Sequence, residues 1–170
     1  VITGKSIADD GTSKCFGLVN SYDQKPKRRL FELLQSQGMQ MNQQVTFLSD
    51  GGDSVRNLQL YLNPQAEHLL DWFHITRRIT VMKQMAKGVT DSEDELVENL
   101  DEAIESIKWY LWHGNVFRAL QEIDWLADGL YLEEMSPEQA KLLRKVEEFQ
   151  TYITNNQQFI TNYGERYRNG

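Results

Sequence analysis

The sequence holds one cysteine, Cys15, so it can build no internal disulfide framework, and a reducing cytoplasm is the expected setting. Three histidines beside that cysteine are too few, and too scattered, for a structural zinc site. The apolar runs are short, so no membrane span is expected. Nothing at the start has the layout of a signal peptide. No Walker loop, Rossmann glycine fingerprint, nucleophile elbow or HExxH motif is present. Those absences remove the common nucleotide-dependent and serine-hydrolase readings, and no nucleotide cofactor is expected. No internal repeat or low-complexity tract is visible.

What remains is ordinary globular composition, 40% hydrophobic and 25% charged over 170 residues, enough for a sizeable core. Charge is unevenly spread. Residues 1–88 carry 11 Lys/Arg and 8 Asp/Glu, whereas residues 89–170 carry 7 and 17. A phosphate backbone would be drawn to the first half and repelled by much of the second. Val1 lies inside a strand-like run and Gly170 follows a polar Arg-Tyr-Arg-Asn stretch without a stop signal, so both ends read as cuts.

Along the chain, Val1–Ile7 and Lys14–Asn20 are β-compatible and flank a polar cluster containing Asp9, Asp10 and Gly11, which predicts an antiparallel hairpin with the two aspartates in a solvated turn. Pro26 opens a helix over Lys27–Gln37 and Gly38 ends it. Val45–Leu48 suits a buried strand, Ser54–Leu62 a helix and Leu69–Phe73 a further strand. The first part therefore reads as an α/β sheet of mixed strand direction. From His74 the pattern turns helical. Ile75–Lys87 forms one segment, and Asp91-Ser92-Glu93-Asp94 makes an acidic helix start. Leu96, Leu100, Ile104, Ile107 and Leu111 then mark an amphipathic face, and Val116–Leu126 repeats the spacing. Ser136-Pro137-Glu138-Gln139 opens another helix, with Ser136 as N-cap and Gln139 at the capping-box position. Aromatic turns such as Trp109-Tyr110-Leu111-Trp112 are expected in the core.

Two constellations carry chemistry. Asp50 follows the short strand, in Ser49-Asp50-Gly51-Gly52-Asp53. A carboxylate at a strand end points into the crevice where α/β folds place sites, and a hard divalent cation takes such oxygens. The plainer reading is a helix-capping turn, and spacing alone favours it. Asp53 reads as a cap or dipole partner. The second constellation is Asp71-Trp72-Phe73-His74, where Asp71 would orient the imidazole and His74 would contact a phosphate or move a proton. A His satisfied by a backbone carbonyl is the alternative. Arg77 and Arg78 follow closely, and Lys25, Lys27, Arg28 and Arg29 form an earlier basic cluster. Both are candidate DNA-backbone contacts, with a solvated helix face as the default. His68 and His113 show no partner.

Taken together, Val45–Arg56 (VTFLSDGGDSVR), Leu62–Ile75 with its LLDWFHI stretch, and Gln84–Gly88 resemble the central part of DDE insertion-sequence transposases of the Kra group. Val1–Lys5 and Lys14–Gly17 are similar to the strands preceding that block. The resemblance implies a partial ribonuclease-H-like core over residues 1–74 and an all-α insertion over 75–170. It implies Asp50 as the second of three acidic metal ligands, with Asp71 and His74 matching a D-x-x-H signature. Two Mg²⁺ (or Mn²⁺) ions about 3.5–4 Å apart would activate water or a 3′ hydroxyl. Transposon-end DNA and further copies of the chain are the implied partners, in the bacterial cytoplasm. The family's first Asp and final Glu match no position here, and Glu147, Glu148 and Glu165 have no family context. The isolated chain is therefore expected to be inactive. Another ribonuclease-H-like nuclease using Asp50, or a non-enzymatic helical interaction domain, are the alternatives.

Overall fold

A computed structural model of the chain describes residues 2–19, 25–40, 43–89, 95–131 and 135–169. The expected acidic helix start at Asp91–Asp94 lies outside them, as do Val1 and Asn20. The protein is mixed α/β and divides into two compact units, Val1–Leu69 and Leu70–Gly170.

Unit 1 opens with the hairpin of β1 (Ile2–Ile7) and β2 (Ser13–Leu18), paired antiparallel from Ile2↔Leu18 to Ile7↔Ser13. Its turn is closed by Ala8 N–H to Thr12 O at 2.8 Å and by Asp10, which accepts from the Thr12 backbone and hydroxyl. Those two bonds hold the Asp10 carboxyl below its ordinary value. Helix α1 (Pro26–Ser36) starts on its proline and ends in a Schellman arrangement. There Gly38 N–H donates to Gln35 O and Met39 N–H to Leu34 O. Strand β3 (Thr46–Ser49), helix α2 (Asp53–Leu62) and strand β4 (Glu67–Leu70) follow, with β3 and β4 hydrogen-bonded neighbours across the intervening helix. Buried Gln59 finishes α2 by donating to Asn63 O and Ala66 O, just where Pro64 disfavours further helix. Among the described residues the four strands form two separate pairs, where the sequence reading puts them in one mixed sheet. A small cluster of Leu18, Leu30 and Leu58 holds the hairpin, α1 and α2 together.

Unit 2 is a four-helix bundle followed by a short helix. Its helices are α3 (Trp72–Ala86), α4 (Glu95–Trp112), α5 (Val116–Leu130) and α6 (Pro137–Asn156). Each packs on two others, in the ring α3–α4–α5–α6–α3. The reason lies in one repeated spacing. Ile75, Ile79, Met82 and Ala86 are buried on α3, and Leu100, Ile104, Ile107 and Leu111 on α4. Ala119, Ile123, Leu126 and Leu130 match them on α5, and Leu142, Val146, Phe149 and Ile153 on α6. Every set steps by three or four residues, the heptad seam of a bundle core. Each fully buried Leu or Ile contributes about 1.5–3 kcal/mol.

The links between helices are equally local. Gly114 turns the chain after α4 at φ 71°, and a side chain there would press on the Thr161–Asn162 backbone. Asn115 caps α5 by accepting from Arg118 N–H. Ser136 caps α6 by accepting from Gln139 N–H at 3.1 Å. The Gln139 amide donates to Leu130 O, closing the end of α5 rather than reaching back within a capping box. After a single 3-10 turn at Gln157–Phe159, α7 (Tyr163–Asn169) returns to the start of the unit. There the buried Tyr163 hydroxyl donates to Leu70 O at 2.7 Å, and burial pushes its pKa up. Trp72 stands 5.0 Å, centroid to centroid, from both Trp112 and Tyr163.

Two further expectations from the sequence hold only in part. The strand expected over Leu69–Phe73 is shifted: β4 covers Glu67–Leu70, so only Leu69 and Leu70 are strand, and α3 begins at Trp72. Asp71 is a good N-cap, and Trp72 gains its ring contacts as the first helical residue. The aromatic turns are not all core either. Trp109 is 50% exposed and Trp125 56%, since both stand outside the heptad seam. Among the described residues, no helix is long and apolar enough to cross a membrane.

Candidate functional site

Asp50 leaves the end of β3 and is exposed. Its Oδ1 accepts from Gly52 N–H at 3.0 Å, and Gly51 holds φ 86°, a backbone region that glycine enters at little cost. The turn is anchored from behind. Buried Ser49 places Oγ 2.7 Å from Nε2 of buried His68 on β4 and accepts from Gly51 N–H at 3.1 Å. Burial, then the charge of Arg56, lowers the His68 pKa below its ordinary value. The Ser49–His68 pair thus fixes where Asp50 emerges. His68 had no visible partner in the sequence, because Ser49 lies nineteen residues earlier. Asp53 is the first residue of α2, placed to favour the helix dipole. A broad cavity of about 730 Å³ in the same unit runs between Gln43–Thr46 and Asn63–Glu67, and Asp50 does not line it.

A carboxylate at a strand exit suits a hard cation, which takes one or two protein carboxylates with water and phosphate oxygens. Among the described residues, no group of three or more His, Cys, Asp or Glu lies together to hold a metal.

In unit 2, Asp71 is the N-cap of α3, its Oδ1 accepting from Phe73 N–H at 3.0 Å. Its other oxygen lies 3.8 Å from His74 Nε2, beyond hydrogen-bond length but within Coulombic reach. One turn on, His74, Arg77, Arg78 and Val81 form a stripe facing α6, the spacing that brings helical residues to one side. They line a groove of about 260 Å³ whose other wall is Lys145, Glu148 and Phe149. Arg78 stacks over the Tyr152 ring, its guanidinium carbon 4.0 Å from the centroid, which steadies the fork. Lys145 Nζ meets Glu148 Oε2 at 2.5 Å, and that bond lowers the Glu148 pKa. Phe73 is 63% exposed and turns edge-on to His74 at 5.6 Å.

The structure therefore brings His74, Arg77 and Arg78 into one groove and adds Lys145, which sequence reasoning missed because only packing carries α6 to α3. The earlier basic cluster is differently engaged. Arg28 pairs with Glu32 at 2.9 Å, and Lys27 lies over the Tyr61 ring at 5.4 Å.

No protein-family model, curated protein or solved structure matches the chain. Apart from the earlier basic cluster, the sequence-expected site residues gather in two places, the Asp50 turn and the α3–α6 groove.

Proposed function

We propose that the chain is the central part of a DDE-type transposase, acting in DNA transposition by metal-dependent phosphodiester cleavage and strand transfer. In this reading unit 1 belongs to a ribonuclease-H-like core and unit 2 is its helical insertion. The observation that carries it is Asp50, an exposed carboxylate at the exit of a strand, braced by Ser49 and His68 in the VTFLSDGGDSVR stretch. Strand exits are where α/β folds present ligating side chains.

Asp50 supplies one of three acidic ligands. In this reading the other two match no residue of this chain. Bound Mg²⁺ or Mn²⁺ would supply Lewis acidity at the scissile phosphate. The chain's own contribution is positional. Asp50 holds its carboxylate at a fixed exit from β3, while His74, Arg77 and Arg78 present cationic and hydrogen-bonding groups to the DNA backbone. Transposon-end DNA is the substrate, and several copies would act on two ends.

The Asx turn at Asp50 favours a competing reading, in which the carboxylate shapes the turn rather than binding a cation. Asp50→Asn separates the two, because asparagine keeps the turn and loses the anionic ligand. With the chain joined to its flanking reading frame, Asp50→Asn should lower Mg²⁺-dependent cleavage of terminal DNA at least about a hundredfold, the scale of losing one preorganised charge-stabilising group. Undiminished cleavage would remove Asp50 from the metal site.

A further inference from the structure

The charge of unit 2 is divided by helix. By sequence, α3 and α6 together hold six Lys/Arg and three Asp/Glu, whereas α4 and α5 hold two and eight. Those pairs occupy opposite sides of the bundle ring. The unit is acidic as a whole, so its basic side is a local feature rather than a consequence of composition. On that side lies the α3–α6 groove, with Arg77, Arg78 and Lys145 around its rim, His74 at one end and exposed Phe73 beside it.

We infer that this groove is a binding site for the sugar–phosphate backbone of a single nucleic-acid strand, built by α3 and α6 jointly. Three features select that ligand class. The cations come from two helices, Arg77 and Arg78 on α3 and Lys145 on α6, which suits neighbouring phosphates. Arg78 lies over the Tyr152 ring at 4.0 Å, which restrains its fork before it meets phosphate oxygens. Phe73 presents an exposed ring next to the cations, and aromatic rings interleaved with positive charge are what unpaired bases stack upon. The acidic α4–α5 side would be repelled by the same strand, so the bundle binds in one orientation. Glu148 opposes binding, and its pairing with Lys145 restrains that lysine.

This deepens the DNA reading above and shares its ligand class, but needs neither Asp50 nor metal. The test is fluorescence anisotropy of the 170-residue chain with labelled oligothymidylate, in chelator and over a range of salt. Binding should weaken with salt. Arg77→Glu and Lys145→Glu should each reduce affinity about tenfold and lower the salt slope by about 0.7 for each phosphate no longer neutralised. Glu148→Gln should tighten binding, an effect that mere loss of structure would not produce. Lys5→Glu, exposed on β1 in unit 1, should bind as wild type. Unchanged melting temperatures would show that the exposed substitutions leave the fold intact. The inference is overturned if the groove variants bind as wild type, if Lys5→Glu alone abolishes binding, or if inorganic phosphate competes as well as the strand per phosphate. Strand binding that persists while Asp50→Asn cleaves normally would count against the transposase reading only. Normal cleavage with groove-independent binding would count against this inference only.

Discussion

Ser49 and His68 form the most consequential pair at the residue scale, although neither carried a functional reading in the sequence. Their contact bridges β3 and β4 directly behind the Asp50 turn. His68 is buried, and its pKa lies below the ordinary 6.5, through burial first and Arg56 second. The folded state therefore favours neutral imidazole, while the unfolded chain takes up a proton more readily. Stability from this site is complete above pH 6.5 and is lost as pH falls through the depressed folded value. Amide hydrogen exchange in β3 and β4 should accelerate as pH drops below 6.5, after correction for intrinsic rates. A corrected rate that stays flat would show that His68 does not couple to the fold. Asp50 and Asp71 were both legible as polar residues at apolar boundaries. Their roles were not, because a carboxylate before a helix looks the same whether it caps, orients a histidine or binds a cation. Asp71 caps α3 through the hydrogen bond from Phe73 N–H, while its other oxygen lies 3.8 Å from His74 Nε2.

Among elements, the clearest lesson is the heptad seam. The α4 stripe was readable from Leu100 to Leu111, and the same spacing stands in α3, α5 and α6. Exposed Trp109, Phe117 and Trp125 blurred it, since counting every large apolar residue as core hides which face is buried. The seam makes a paired prediction on α4. Ile107→Ala, at a fully buried position, should cost about 2–5 kcal/mol through lost transfer energy and a residual cavity. Trp109→Ala, two residues on and half exposed, should cost less than about 1 kcal/mol. Urea unfolding followed by circular dichroism measures both, and equal losses would contradict the bundle register. Lys83 of α3 ties the same helices by meeting Asp101 at 3.1 Å and Glu105 at 2.7 Å, with Lys108 completing the cluster. Hydrogen bonds from Lys108 and then Lys83 hold the Glu105 carboxyl below its ordinary value.

For the whole molecule, the division at Leu69 separates a small α/β unit from a bundle with its own extensive core. The fold class was legible because the hydrophobic period changes from two to three or four near His74. The break falls earlier, at Leu70, because that residue packs in the bundle core and its carbonyl receives the Tyr163 hydroxyl. Residues 70–170 expressed alone should therefore be helical and unfold cooperatively by circular dichroism. A non-cooperative melt would show that the bundle depends on unit 1.

The central claim is that Asp50 ligates a catalytic cation, and metal rescue tests it most directly. Asp50→Cys replaces a hard carboxylate with a soft thiolate at the same strand exit. In the chain joined to its flanking reading frame, this variant should lose DNA cleavage with Mg²⁺ and regain part of it with Mn²⁺ or another softer cation. Full Mg²⁺-dependent cleavage by Asp50→Cys would contradict the account.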